Sequence, residues 1–539
     1  MALDRQKATQ FRNSCAAFDI TNRDAIASLS NVLDQLTTEL AKSEILRQRM
    51  GKVEPHIWPE LRSLWKIVAE TQLSKRHSWD GDELSLRKFT VNLAKFTRNV
   101  VAGIAFNQEQ AYPNEPDIRR LLHYHTSWSA NEDPGSFKAT RALVQTLSNL
   151  VTTNEPLLSD LWNTYMNLPE DQVILIRLLA SPDASTVLAT LVFMVNCVHK
   201  SSERSNTLCT STIGARVCIS LLDRIVTLYT AVEPSDGSKA FDIGYRIFTR
   251  LFEGGFTPIL WTKLSIADEV LAPHQTILLK LLDSYLQSSS DSTIHSHLCP
   301  TLSEIFFRLT AYAQLSIRIA LGPAASDGPS AAAPAVKISP SPPLAQPDMA
   351  QAPDARLPKV CEALVLVTQC VITVTIDEDE DEPDGSVADG EPRGLRAFFN
   401  DARSDRGEGL VESLLELLRL LDLFLPRINF GKPVGDVREG AAGDPTGFSY
   451  LKRDLVRLLG ILVHRNKEVQ DRVRVCGGIP VVMNLCVVDE RNPYLREHAI
   501  LTLHNMLKRN PENQAVVESI KPVTSWDEEG VLQKSPNGI

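Results

Sequence analysis

A chain of 539 residues exceeds one ordinary globular core, so it holds either several domains or one elongated array of repeats. With 43% apolar and 23% charged residues it is neither fibrous nor wholly disordered, and 6% aromatics are too few for an aromatic recognition platform. A formal net charge of −10 excludes a general nucleic-acid binder, which needs a basic face to release counterions.

The nine cysteines form no C-x-x-C pair and read as reduced, mostly buried thiols of an intracellular protein. MALDRQKATQFRNSC lacks the apolar core of a secretory signal, and the uncharged run Ala363–Ile376 is too short to span a bilayer. The expectation is a cytoplasmic protein without membrane insertion.

In chain order, Ile26, Leu29, Leu33, Leu36 and Leu40 alternate spacings of three and four. They predict one amphipathic helix whose seam meets either the core or a short coiled-coil partner. From Phe89, the segments FTVNLAKFTRNVVAGIAFNQE, RALVQTLSNLVTTNEPLL and ATLVFMVNCVHKSSER each run a helical face into a polar turn. Asn99, Asn149 and Asn196 fall at equivalent places, 50 and 47 residues apart, at or just above the armadillo/HEAT period. Asparagine is not favoured inside a helix, so its recurrence points to a hydrogen bond repeated between neighbouring repeats. Helical faces continue through LSEIFFRLTAYAQLSIRIA, completing a block of helical repeats over 1–321.

The Pro/Ala-rich segment 322–358 predicts a disordered insertion. Segment 359–376 favours strand by its Val and Thr content, yet all-helical neighbours make it a buried helix. An acidic disordered loop follows over 377–408, then a helix and a Gly-rich loop over 409–447. A flexible tail is expected over 523–539.

Between these last segments, residues 448–522 are the most clearly punctuated. Leu451, Leu455, Leu458, Leu459 and Leu462 give one apolar helical face, with Lys452, Arg453, Asp454 and Arg457 largely off it. A second helix is predicted over Lys467–Val475, ended by Gly477-Gly478, with Pro480 in the first turn of the next. Asn492-Pro493 and Asn510-Pro511 each pair a capping side chain with a proline suited to the first helical position. Aligning LLGILVHRNKEVQ with TLHNMLKRNPENQ places Ile461 on Asn505, an offset of 44 residues. Leu455, Leu458, Leu462, Ile479, Leu485, Ile500, Leu503 and Leu507 are expected in one core. The predicted fold class is all-α, an armadillo/HEAT-like helical repeat superhelix (α-solenoid) with disordered insertions.

The runs RDLVRLLGILVHRNKEVQDRV, GGIPVVMNLCVVDERNPYLREHAILTL and NPENQ resemble the C-terminal signature of the ataxin-10 family, in its fungal-type form. Tyr494 and His498 stand where the family more often shows Phe and Trp, and both keep a ring. The resemblance implies C-terminal armadillo repeats and a part in cytokinesis or cell-cycle regulation, exercised through protein contacts in the cytoplasm.

No phosphate-binding loop, dinucleotide fingerprint, H-E-x-x-H or nucleophile elbow occurs, so no catalytic or cofactor residue is assigned. His295, His297 and Cys299, with His123 and His125, are the best metal candidates, but alternate spacing converges only on an extended segment and no fourth ligand follows. They are read as polar histidines beside a buried cysteine, and no metal ligand is assigned. Metal (copper) handling and an enzyme with an unrecognised site remain the alternatives to a non-enzymatic scaffold. Glu468, Asp489, Glu490 and Glu497 read as solvated charges or ion pairs between repeats. Ser449–Pro522 carries 12 Lys+Arg against 8 Asp+Glu, and 376–408 carries 4 against 12. Arg491, Arg496, Lys508 and Arg509 are therefore the candidate partner-binding residues, for an acidic partner or the chain's own acidic loop. The expected partners are other proteins, including a second copy in a homo-oligomer, and not nucleic acid.

Overall fold

The computed structural model describes residues 2–74, 83–289, 291–322, 354–376, 394–425, 427–429, 432–433, 448, 450–520, 524–526 and 532–534. Two compact units divide the chain, Met1–Leu264 and Ser265–Ile539.

Unit 1 contains α1 (Ala2–Ala16), α2 (Arg23–Lys42), α3 (Glu44–Lys52), α4 (Trp58–Ser74), α5 (Glu83–Val101), α6 (Ala105–Ala111), α7 (Glu115–His125), α8 (Trp128–Asn131), α9 (Pro134–Val151), α10 (Glu155–Met166), α11 (Ile174–Leu179), α12 (Ala184–Val198), α13 (Ser202–Thr210), α14 (Thr212–Leu228), α15 (Asp236–Glu253) and α16 (Thr257–Lys263). They stack as three-helix repeats of the armadillo kind. The long third helices α2, α5, α9, α12 and α15 pack side by side in that order, while α4, α7, α11 and α14 form a second row. Ile26, Leu29, Leu33, Leu36 and Leu40 are all buried, so the α2 seam faces this core.

Unit 2 contains α17 (Pro273–Leu286), α18 (Ser292–Leu321), α19 (Leu357–Ile376), α20 (Leu395–Asp401), α21 (Leu410–Phe424), α22 (Leu451–Leu462), α23 (Lys467–Val475), α24 (Gly478–Leu485), α25 (Leu495–Leu507) and α26 (Pro511–Ser519). Here α17, α19, α22 and α25 make the third-helix row, and α18, α21 and α24 the second. The strands are short: β1 (Ile428–Asn429) pairs antiparallel with β2 (Lys432–Pro433), and β3 (Thr524–Trp526) with β4 (Leu532–Lys534). The fold is thus all-α in armadillo/HEAT-like repeats. All nine cysteines are free and six are buried.

The structure differs from the sequence reading in several places. The expected block 1–321 is divided after Leu264, because α17 and α18 pack on α19 and α21. The run 359–376, ambiguous by propensity, is a buried helix as expected, but α19 extends over Leu357–Ile376 and is thus long and apolar enough to cross a bilayer, although it packs against α17, α18 and α22. Part of the expected acidic loop, 395–401, is α20, since Phe399 offers a ring that is fully buried. Asp354, inside the expected insertion, accepts hydrogen bonds from Tyr312 (2.5 Å) and Ser316 (3.0 Å). The expectations for 323–353, 377–393 and 434–447 fall outside the described residues.

Lys452 and Asp454 are buried rather than lying off the apolar face, because α22 is enclosed by α19, α21 and α25. Each is compensated, as a buried charge must be: Lys452 Nζ lies 3.3 Å from Asp422 Oδ1, and Asp454 accepts from Arg453 (2.6 Å) and Gln369 (3.0 Å). Leu455, Leu458, Leu462, Ile479 and Leu485 share a buried core, but Ile500 is 48% exposed and Leu503 and Leu507 are half-buried. On α25 the inward positions are Leu495, Ala499, Thr502 and Met506. Ile500, Leu503 and Leu507 occupy the register of Val456, Leu459 and Val463, which the following repeat buries completely. No further repeat covers them among the described residues.

The third helices are tied to one another by side chains that donate to backbone carbonyls of the preceding repeat. Asn99 Nδ2 donates to Thr37 O (3.0 Å), Asn149 Nδ2 to Arg98 O (3.1 Å) and Asn505 Nδ2 to Gly460 O (3.1 Å). One turn earlier Thr146 Oγ1 donates to Ala94 O (2.9 Å) and Thr502 Oγ1 to Val456 O (3.0 Å). Asn196 reaches the hydroxyls of Ser148 and Thr152, both at 3.4 Å. Glutamines bond forward: Gln108 Nε2 donates to Asn149 O (2.8 Å), and Gln470 Nε2 to Asn505 O (2.9 Å). A charged clamp joins α21 to α23, where Arg472 holds both carboxylate oxygens of Glu412 (3.0 and 2.7 Å) and donates to Asn400 O (2.6 Å).

Leu458→Asp should destabilise unit 2 by about 3–5 kcal/mol, because an unpaired charge replaces a fully buried side chain. Chemical denaturation followed by circular dichroism checks this. Asn149→Ala should cost about 1 kcal/mol, the net worth of one hydrogen bond, here to a carbonyl in the last turn of α5. Burial alone would raise the Glu412 carboxyl, but the hydrogen bond and charge of Arg472 outweigh it and hold it below 4.5. Its stabilisation is therefore complete above pH 4.5 and lost as pH falls through the lowered value. Glu412→Gln should lower the unfolding temperature at neutral pH, and the deficit should close in acid.

Candidate interaction surfaces

Because the third helices are locked in register, their outward residues form fixed surfaces. In unit 1 the outward sides of α5, α9 and α12 enclose a cleft of about 370 Å³ lined by Arg98, Arg141, Gln145, Asn149, Leu188 and Val192, among others. Arg98 Nε donates to Asn99 Oδ1 (3.0 Å) and Nη1 to Gln145 Oε1 (2.5 Å), both neutral acceptors, and burial pulls its pKa down. The nearest carboxylate to Arg141 is Asp183, at 4.0 Å. At the far end Ser185 donates to Asp236 (2.5 Å). Of these residues only Asn149 stood out in the sequence, as a recurring asparagine; the available signal for the others was Arg98 beside the recurring Asn99, in line with Lys88 and Lys95 on the polar side of α5.

In unit 2 the sequence-derived residues lie around α25. Asn492 does not cap this helix. Its Nδ2 donates to Asp489 Oδ2 (2.7 Å), while Asp489 Oδ1 accepts from the backbone N–H of Ile428 and of Arg491, both at 3.1 Å. Glu490 N–H donates to Ile428 O (2.9 Å). The DERN turn thus clamps the chain at β1, and Asp489 is a buried structural acceptor rather than a solvated charge. Tyr494, left-handed at φ 65°, opens α25 instead. Asn510 does cap α26, accepting from Asn513 N–H (3.1 Å) ahead of Pro511.

Half-buried Arg491 and exposed Arg496 stand at the N-terminal end of α25, and exposed Lys508 and Arg509 at the other. A helix of 13 residues separates the pairs by roughly 20 Å, so the four are two basic ends and not one patch. Between them lie Ile500 and Leu501, 48% and 57% exposed. Arg496, Lys508 and Arg509 pair with no carboxylate among the described residues. The resulting surface is an apolar strip with a cationic group at each end.

A second cleft in unit 2, about 280 Å³, is lined by Glu412, Glu468, Asp471, Arg472, Val475 and Cys476. Burial and the Glu412 charge raise the Cys476 thiol, so it is no activated nucleophile. His295, His297 and Cys299 sit on α18, not on an extended segment: His295 and Cys299 are buried one turn apart, and His297 points to solvent. His295 Nε2 lies 3.1 Å from Ser289 O, and Cys299 Sγ donates to His295 O (3.2 Å). His123 and His125 on α7 likewise divide between an exposed and a buried side. Among the described residues no group of three or more His, Cys, Asp or Glu is placed to hold a metal ion.

Residues 451–536 match the family described as the spinocerebellar ataxia type 10 protein domain. An ataxin-10 homolog of Dictyostelium discoideum is 40% identical over 70 residues, 13% of this chain and 12% of that protein. Ataxin-10 of Bos taurus is 31% identical over 121 residues (21% and 24%), and the Saccharomyces cerevisiae homolog 30% over 138 (20% and 24%). The matches to these relatives span a quarter of their length or less. Among solved structures, SYS-1 aligns over 95% of this chain and 94% of its own at 10% identity and a TM-score of 0.33. A structure concerned with the interaction between cadherin and beta-catenin aligns over 90% and 77% at 12% identity and a TM-score of 0.30. Through the repeats α22 to α26, which carry the matched domain and the DERNPYLREHAI turn, the C-terminal part of the chain is similar to the ataxin-10 family.

Proposed function

We propose that this protein is a non-catalytic scaffold that binds other proteins through its helical repeats, acting in the cytoplasm in the control of cytokinesis. The observation that carries the scaffold reading is the last repeat of unit 2, where α25 leaves Ile500 and Leu501 open between the basic pairs Arg491/Arg496 and Lys508/Arg509. Such a surface suits an amphipathic acidic segment: apolar contact supplies affinity, and the cationic ends supply orientation and rate of encounter. The similarity of residues 451–536 to the ataxin-10 family supports the cytokinesis reading, and the free, largely buried cysteines agree with a reducing compartment.

Arg496→Glu combined with Arg509→Glu should weaken capture of protein partners from dividing cells in a salt-sensitive way while leaving thermal unfolding unchanged, because exposed charges contribute little to stability. Unaltered capture would remove this surface from the proposal. Cells relying on the double variant should accumulate binucleate cells, and normal division would count against the cytokinesis role.

A further inference from the structure

The cleft of unit 1 has a charge pattern that its own residues do not satisfy. Arg98 is half-buried, yet its recorded acceptors are two neutral amide oxygens, and no carboxylate pairs with it among the described residues. Arg141 is at the outer limit of ion-pair distance from Asp183. Lys88 and Lys95 follow Arg98 along the outward side of α5, and Lys138 precedes Arg141 on α9; these three also pair with no carboxylate among the described residues. A cation drawn partly out of water without a counter-charge is costly, and an incoming carboxylate removes that cost.

The next helix changes character. On α12 the apolar lining side chains are Leu188, half-buried, Ala189, buried, and Val192, 37% exposed. Beyond them Asp236, held by Ser185, makes that end unfavourable for a second acid. The surface therefore reads, across the row, as cationic on α5 and α9, aliphatic on α12 and closed to anions at α15.

We propose that this groove binds an extended acidic segment of a partner protein, with carboxylates on Arg98 and Arg141 and an aliphatic side chain against Leu188 and Val192. Neighbouring helices pack about 8–10 Å apart, and an extended chain advances about 3.3 Å per residue. The segment thus has two acids roughly three residues apart and a Leu, Ile or Val roughly three residues further on. The aliphatic third of the groove favours a peptide over a phosphate backbone, which would leave Leu188 and Val192 unused. A net charge of −10 also repels long polyanions. The surface lies within unit 1, so the inference does not rest on the α25 surface.

The test is fluorescence anisotropy of the full chain with a labelled synthetic peptide of this pattern, prepared in both chain directions, and with a matched peptide carrying Lys for Glu. The acidic peptide should bind in at least one direction, more weakly as salt rises, and the lysine peptide should not. Arg141→Glu should weaken binding by roughly tenfold or more, and Val192→Glu should weaken it through the aliphatic end. Arg496→Glu with Arg509→Glu should change nothing, which separates this site from the α25 surface. Equal binding of the acidic and lysine peptides overturns the proposal, as does unchanged affinity in Arg141→Glu with unaltered thermal unfolding. If Arg141→Glu unfolds the chain, Val192→Glu decides alone, and wild-type affinity in that variant overturns it. An RNA oligonucleotide that displaces the peptide and binds more tightly would assign the groove to phosphate instead.

Discussion

The structure depends on a hydrogen bond that joins one repeat to the next, from an asparagine or threonine side chain to a carbonyl inside the preceding third helix. A helical carbonyl has two lone pairs and its own helix uses at most one. The second accepts Asn99, Asn149 or Asn505 only when the two helices sit at one spacing and one stagger. Apolar packing alone would tolerate a slip along the helix axis, whereas a directional bond does not. The close approach has its own requirement at Gly460, where a Cβ would stand 2.5 Å from Thr502 Oγ1. Glycine is present there so that α25 can reach the carbonyl.

From this constraint follows the division of labour within each third helix. One side is committed to the core, a second to the neighbouring repeat, and the third carries residues whose charges are not neutralised within the fold. Arg98 and Arg141 in unit 1 belong to that third side. So do Arg496 and Leu501 in unit 2, where no further repeat among the described residues covers the repeat-facing side. The family signature, by contrast, is mostly structural: Asp489 and Asn492 hold the turn that pins β1. A match to that signature therefore identifies the scaffold more directly than it identifies a binding residue.

Helical periodicity and turn chemistry made much of the fold legible. Lys467–Val475 is a helix with those bounds, and the recurring asparagines do bond between repeats. The misreadings share one cause, which is information held far away in the chain. Asn492-Pro493 and Asn510-Pro511 are the same dipeptide, but only the second caps a helix, because the side chain of Asn492 is engaged with Asp489, which itself holds a strand some sixty residues earlier. Ile500 looks like any core position until one asks which repeat comes next. Phe399 lies in acidic company, and its burial against distant helices, with the bond from Arg472 to Asn400 O, makes 395–401 a helix. Arg98 carries no motif at all; its meaning arises when Gln145, forty-seven residues on, closes over it.

The half-covered last repeat has a dynamic consequence. Val456, Leu459 and Val463 are sealed on both sides, while Ile500, Leu503 and Leu507 are sealed on one, and α26 buries a single side chain, Asn513. In a stack whose stability is a sum over neighbouring interfaces, the unit with one interface opens at the lowest free energy. Among its described repeats, α26 is therefore the element of unit 2 that opens most readily, in the segment that carries the ataxin-10-like signature.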